Sequence, residues 1–96
     1  MPPIKSVVKR TGAIVPFNPD RITNAIYRAA VEQGGRDRAL AEQLSQKVVA
    51  MLEANTPLDH APTIEEIQDV VEKVLIENGH ARELGAFRKA RRENES

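Results

Sequence analysis

The chain has 96 residues, which is enough for one small domain and too few for a separate catalytic domain beside it. Hydrophobic residues make up 41% and charged residues 29%, a balance typical of globular domains and not of disordered chains. The 14 basic and 14 acidic side chains cancel, which disfavours a general nucleic-acid clamp, and the lack of cysteine excludes disulfides, cysteine zinc sites and thiol chemistry.

The chain begins with a predicted β-hairpin. Residues 4–9 and 14–17 are rich in β-branched side chains, and Gly12 lies between them where the turn requires a flexible backbone. Pro16 cannot donate a hydrogen bond to a ladder, so we expect it at a sheet edge or at the end of its strand.

Two helices are predicted next. Asn18 is a favoured N-cap and Pro19 a favoured first helical residue, and Gly34-Gly35 ends this first helix. Its apolar residues follow the helical spacing: Ile22, Ala25, Ile26, Ala29 and Ala30. The second helix is predicted from about residue 37 to about residue 54, with a connector at 55–62.

The third and fourth predicted helices complete the chain. Thr63 and Glu66 have the spacing of a capping box, and Gly79 lies where a glycine commonly ends a helix. The last helix is predicted at about residues 80–92, followed by a flexible tail at 93–96. We therefore expect one domain over the whole chain: a mainly α, α+β fold in which a four-helix bundle carries a small β-hairpin.

Charge is distributed unevenly along the chain. Residues 1–30 hold five basic side chains against Asp20 alone, and residues 80–96 hold five against three acidic ones; we call these the basic ends. Residues 31–79, the acidic middle, hold four basic and ten acidic side chains. If the basic ends meet in the fold, they form a positive site that suits a small polyanion better than a long nucleic acid.

No set of catalytic residues is recognisable. The glycines match neither a dinucleotide fingerprint nor a phosphate loop, and His60 and His80 lie far apart. The adjacent Glu65 and Glu66 lie in the first turn of a predicted helix, where the helix dipole explains them. We expect a protein that is not an enzyme and that has no metal site of its own.

Three cations predict a phosphate site. Lys9 and Arg10 lie at the hairpin tip and Arg21 in the first turn of the first helix, near free backbone N–H groups. The alternative that remains open is that these three side chains are ordinary solvated charges at a turn and bind no ligand. We interpret the basic side chains at 88, 91 and 92 as a solvated or domain-interface face rather than as ligand contacts.

Four segments together resemble the ATP-cone domain, the nucleotide-binding regulatory module found chiefly at the N-terminus of ribonucleotide reductases. The segments are Val8-Lys9-Arg10-Thr11-Gly12, the run from Val15 to Ile22, the run from Thr63 to Glu72, and Ala86-Phe87-Arg88-Lys89. The resemblance covers about residues 4–92, which we take as the domain core.

The resemblance implies a four-helix bundle covered by a small three-stranded sheet, with a short third strand within residues 58–63. It implies ATP or dATP as the allosteric ligand beneath the hairpin, with Mg²⁺ accompanying the phosphates. Phosphate contacts are implied for Lys9, Arg10, Arg21 and Lys89, and adenine contacts for Val7 and Ile22. The implied set is completed by Asn18 near the base or helix start, Thr11 in the turn and Thr63 at the start of the third helix.

The resemblance also implies a role. The domain would control the activity and the oligomeric state of a ribonucleotide reductase in the cytoplasm, through its catalytic or radical-generating subunit and through ligand-dependent self-association, with no membrane or nucleic acid. One alternative is a cone in another protein, such as a nucleotide-sensing transcriptional repressor. Another is a helical DNA-binding or interaction module without nucleotide, favoured by the basic last helix and disfavoured by the zero net charge.

Overall fold

The computed structural model of the protein describes residues 4–57 and 59–95. The strands are β1 (Ser6–Val8) and β2 (Ile14–Pro16), and the helices are α1 (Pro19–Glu32), α2 (Arg38–Asn55), α3 (Ile64–Glu77) and α4 (Ala81–Glu95). The predicted mainly helical α+β fold is confirmed. None of the helices in the described residues combines the length and the apolarity that crossing a bilayer requires.

The two strands pair antiparallel with Val7 opposite Val15. The turn closes through the Gly12 N–H, which donates to the Lys9 carbonyl at 2.9 Å, and Gly12 has a φ of +89°. Glycine adopts this left-handed backbone without the steric cost that a Cβ would bring. Each strand has three residues and is shorter than the predicted segment.

The predicted third strand is reduced to one parallel bridge, between Val8 and Thr63, within the described residues. The Val8 N–H donates to the Pro62 carbonyl at 3.0 Å. Pro62 has no N–H for a longer ladder, and Thr63 is already the N-cap of α3, so the chain leaves the sheet at once. Leu58, where the predicted strand began, lies outside the described residues.

The helix starts follow from local side-chain chemistry. The side-chain oxygens of Asn18, Asp37 and Thr63 each accept a first-turn backbone N–H at 3.0–3.1 Å. Asp37 is therefore the N-cap of α2, and this helix begins at Arg38, one residue later than predicted.

The last helix is longer than predicted. It continues to Glu95 rather than ending near residue 92. No Gly or Pro follows the basic run, and Arg and Glu are good helix formers, so nothing in the local sequence ends the helix there. The flexibility of the tail stays a prediction.

The helices form a ring in which each packs against the next and α4 packs against α1. Ile26, Val48, Val74 and Leu75 are almost completely buried in the centre. Val7 of β1 is also buried in this core, so the hairpin is fixed to the bundle by apolar packing. The hairpin thus lies over the side of the bundle where α1, α3 and α4 meet.

Candidate functional site

A cleft of about 260 Å³ lies between the hairpin, α1, α3 and α4. Its wall is mainly apolar and includes Val7, Val15, Ile22, Ile67, Val71 and Phe87. A concave apolar surface with a few polar groups at its edge is typical of a small-molecule site, and this volume is near the lower limit for such sites.

The polar wall of the cleft comes from α1. Arg21 and Arg28 both line the cleft, and residues seven apart lie on the same helix face about 10 Å from each other along the axis. Neither guanidinium has an ion-pair partner among the described side chains. Arg21 also lies in the first turn, where the helix N-terminus adds positive potential. This wall therefore attracts an anion.

The hairpin tip is held against α3. The Arg10 Nε lies 3.0 Å from the Glu65 Oε1, and its Nη2 donates to the Gln68 Oε1 at 3.5 Å. Gln68 lines the cleft, whereas Lys9 and Thr11 are exposed at the tip outside it. The Arg10 guanidinium therefore lies next to the cleft but pairs with Glu65, a carboxylate that does not line it.

A second ion pair joins α4 to α1. The Lys89 Nζ lies 3.4 Å from the Glu32 Oε1, and both side chains are more than 45% exposed. Glu32 lines the cleft on the same wall as Arg28. This pair therefore places a carboxylate at the end of an otherwise positive wall.

A tighter cluster joins α4 to α3. The Arg91 Nη1 donates to the Asp69 Oδ1 at 2.9 Å and to the Glu72 Oε2 at 2.5 Å, and Arg88 pairs with the other oxygen of Glu72 at 2.6 Å. The hydrogen bond to Asp69, aided by Glu72, raises the pKa of Arg91 above its ordinary value although partial burial opposes this. Arg91 lines the cleft, so one side chain belongs both to the cleft wall and to the α3–α4 contact.

The ion pairs join the basic ends of the chain to its acidic middle. The paired cations Arg10, Arg88, Lys89 and Arg91 come from the basic ends, and the partners described above all come from the acidic middle. The basic ends therefore do not form one bare positive site. In the part of the chain that the structure describes, the cleft-lining cations without an acidic partner are Arg21 and Arg28.

The structure separates the predicted site residues into two groups. The residues that line the cleft are Val7, Asn18, Arg21 and Ile22. The residues that lie outside its lining are Lys9, Arg10, Thr11, Thr63 and Lys89. Arg10 and Lys89 border the cleft through partners that do line it, and Thr63 is a helix cap.

Sequence reasoning missed Arg28, Gln68 and Arg91 in the cleft wall. Arg28 follows Ala25 by three residues and Arg21 by seven, so the helical period alone places it on the same face. Arg91 was assigned to a solvated or interface face, and its place depends on partners in α3 that no local pattern reveals. No group of three or more metal-ligating side chains occurs among the described residues.

Comparison with known protein families matches residues 5–95 to the ATP cone domain. The chain is similar to the vitamin B12-dependent ribonucleoside-diphosphate reductase of Thermoplasma acidophilum, with 49% identity over 73 residues, which is 76% of this chain and 9% of that protein. It is also similar to the ribonucleoside-diphosphate reductase subunit alpha of Chlamydia trachomatis and of Chlamydia muridarum, each 36% identical over 97 residues and 90% of this chain. The chain spans about 9% of the length of each of these relatives.

Proposed function

Because this chain belongs to the ATP-cone family, we propose that it is a regulatory domain that binds an adenine nucleoside triphosphate in the cleft beneath the hairpin. One observation carries the proposal. An apolar cleft of about 260 Å³ is bordered by Arg21 and Arg28, which have no ion-pair partner within residues 4–57 and 59–95. An apolar surface for a base and a nearby cationic wall for phosphates are what such a ligand requires.

The proposed pose follows from the cleft wall. Val7, Ile22 and Phe87 offer apolar surface for the adenine ring. Arg21 and Arg28 supply forked donors to the phosphates, and the start of α1 adds its dipole. Mg²⁺ binds through the phosphates in this proposal, and Lys9, Arg10 and Lys89 approach them from the rim.

The proposed role is regulation of a larger ribonucleotide reductase and not a reaction in this domain. The relatives that the chain matches are ribonucleoside-diphosphate reductases, and the chain corresponds to a small part of each. ATP and dATP differ by one hydroxyl, so both enter the same cleft. A ligand shifts an assembly only by its differential affinity for the two states, so the regulatory effect depends on how that hydroxyl is accommodated.

Calorimetric titration with ATP, dATP and inorganic tripolyphosphate tests the proposal. We expect heat with both nucleotides and weaker binding of tripolyphosphate, because the salt lacks a base to cover the apolar wall. Equal affinity for tripolyphosphate and ATP would show that charge alone is recognised. The absence of heat with either nucleotide would refute the proposed function.

A further inference from the structure

Two carboxylates form ion pairs with the cations Arg10 and Lys89, which border the cleft. Glu65 pairs with Arg10 where the hairpin meets α3, and Glu32 pairs with Lys89 where α1 meets α4. We propose that Glu65 and Glu32 compete with nucleotide phosphates for these cations and thereby set the ligand concentration at which the domain responds. This inference rests on the proposed function, because it assigns a regulation to the same cleft.

Glu65 is positioned to keep Arg10 away from a ligand. It lies in the first turn of α3, where the helix dipole stabilises its negative charge. Its carboxylate lies 3.0 Å from the Arg10 Nε, and the Gln68 Oε1, one turn further on, accepts a hydrogen bond from the Arg10 Nη2 at 3.5 Å. Because Gln68 lines the cleft, the Arg10 guanidinium lies beside the space in which we place the phosphates.

Glu32 acts on the ligand in two ways. It is the last residue of α1 and lines the cleft beyond Arg28, so its charge repels a phosphate that binds along this wall. It also occupies Lys89 at 3.4 Å. A phosphate that recruits Lys89 must therefore displace the Glu32 carboxylate.

Both ion pairs are exposed enough to solvent for a phosphate to replace the carboxylate. The side chains of Arg10 and Glu65 are 35% and 43% exposed, and those of Lys89 and Glu32 are 59% and 49% exposed. Solvent-exposed pairs of this kind are weak, and a triphosphate carries more negative charge than the single carboxylate that it replaces. The ligand therefore wins the exchange, and the carboxylates lower its affinity without preventing binding.

The experiment removes each competing charge while keeping the side-chain shape. The variants are Glu65→Gln, Glu32→Gln and the double variant, and the matched control is Glu66→Gln. Glu66 is exposed in the same first turn of α3, carries the same charge and has no ion pair among the described residues. Each protein is titrated calorimetrically with ATP, after circular dichroism melting has confirmed that it is folded.

We expect Glu65→Gln and Glu32→Gln each to tighten ATP binding by about two- to fivefold, since an exposed ion pair has that energetic range. The double variant gains about tenfold, because the two pairs lie on different elements and their effects add. Glu66→Gln changes the affinity much less. The gain shrinks as the potassium chloride concentration rises, because salt screens exposed charges.

Two outcomes overturn the inference while leaving the proposed function intact. The first is ATP binding by the wild type with no difference between Glu65→Gln and Glu66→Gln. The second is weaker binding by Glu65→Gln, which would show that Glu65 orients Arg10 for the ligand. If none of the proteins binds ATP, the proposed function fails and this inference fails with it.

Discussion

Arg21 and Arg28 differ from the other cations near the cleft in what surrounds them. Arg10, Lys89 and Arg91 are each paired with a carboxylate, whereas the two α1 arginines line the cleft without an acidic partner in the described part of the chain. An anion that binds to Arg21 or Arg28 therefore displaces water and no carboxylate. We expect these two residues to contribute most of the phosphate affinity.

The first prediction concerns Arg21. Arg21→Ala should weaken ATP binding by roughly 10- to 150-fold, because one charge-assisted contact is lost. The fold should stay intact, since Arg21 is exposed at the start of α1. Calorimetric titration measures the affinity, and Arg36→Ala is the control because Arg36 is an exposed arginine in the connector between α1 and α2. Equal losses in both variants would indicate diffuse charge attraction instead of a defined site.

The second prediction fills the cleft. Ala25 is half-buried in the cleft wall between Arg21 and Arg28. Ala25→Leu places an isobutyl group in the space proposed for the nucleotide and should weaken ATP binding by about tenfold or more. The melting temperature should be unchanged or higher, because leucine is a good helix former and covers apolar surface there.

Ala50→Leu is the matched control for the cleft-filling variant. Ala50 is exposed on α2, which does not contribute to the lining of the cleft. The same substitution there should leave the affinity unchanged. If Ala25→Leu binds ATP as tightly as Ala50→Leu, the nucleotide does not occupy this cleft.

At the scale of the elements, the contact between α3 and α4 shares a side chain with the cleft wall, because Arg91 belongs to both. Glu72 accepts from both Arg88 and Arg91, and its side chain is only 14% exposed. The pKa of Arg91 is raised in the folded state. The stability that its positive charge contributes is therefore fully present below the ordinary pKa of arginine, and it is lost only when the pH rises through the raised pKa. Arg91 therefore holds the two helices together across the whole neutral pH range.

The third prediction tests this helix contact. Glu72→Gln should lower the free energy of unfolding by about 1–2 kcal/mol, because two charge-assisted hydrogen bonds weaken while Arg91 keeps Asp69. Urea denaturation measures the loss. Glu77→Gln is the control, since Glu77 is exposed at the C-terminus of the same helix, where the dipole disfavours a negative charge. Equal destabilisation by both variants would mean that charge alone matters there.

The elements differ in how far the sequence predicts them. Asn18, Thr63 and Gly79 mark helix boundaries correctly because capping and left-handed backbone depend on the residue itself. The short third strand predicted within residues 58–63 is a single bridge at Thr63 among the described residues, because Pro62 has no N–H to extend a ladder. The pairing of Arg10 with Glu65 joins residues 55 positions apart, so it depends on packing that no local pattern contains.

The predicted residues that line the cleft are Val7 in β1 and a group at the start of α1. Asn18, Arg21 and Ile22 line the cleft and follow one another in the motif at the start of α1. The cations at the hairpin tip and in α4 were expected in the same place. The structure instead holds Arg10 and Lys89 in ion pairs at the rim, because acidic partners from distant segments lie closer to them.

At the scale of the whole molecule, the net charge is zero, but the positive and negative side chains are not evenly distributed. Carboxylates of the acidic middle pair with Arg10 and with three cations of α4, and the α1 arginines line the cleft without an acidic partner among the described residues. A long polyanion that lies across such a surface meets charges of both signs. A small one that enters the cleft meets the arginines at close range, in a partly enclosed site where screening by water is weaker.

The fourth prediction is a thermal shift. ATP at 100 times its dissociation constant should stabilise the domain by about 2.7 kcal/mol, provided that it binds only the folded state. For a domain of this size that raises the melting temperature by roughly 10 °C. Differential scanning fluorimetry measures the shift, and Ala25→Leu, which binds about tenfold or more weakly, should show about half of it or less at the same ATP concentration. An unchanged melting temperature in the wild type would contradict a site in the folded domain.

The last prediction concerns the proposed regulation of a ribonucleotide reductase. A regulatory domain transmits a signal only if the ligand changes a surface that another part of the assembly contacts. Arg91 lines the cleft and also pairs with Asp69 and Glu72 on α3, so a phosphate that recruits Arg91 changes the contact between two helices. Lys89 makes a similar link from α4 to α1 through Glu32. The nucleotide should therefore change the packing of α4 more than that of α2.

If this domain is part of a reductase and α4 borders a subunit interface there, ATP, dATP and no ligand should give different oligomer distributions of that reductase. Light scattering across a range of protein concentrations measures these distributions, and a parallel assay measures reductase activity. A variant with Arg91→Lys keeps the charge but loses the guanidinium, whose Nη1 contacts both Asp69 and Glu72, so it should bind ATP while responding less to it. Identical masses and identical activities with ATP and dATP would contradict the regulatory role even where both nucleotides bind tightly.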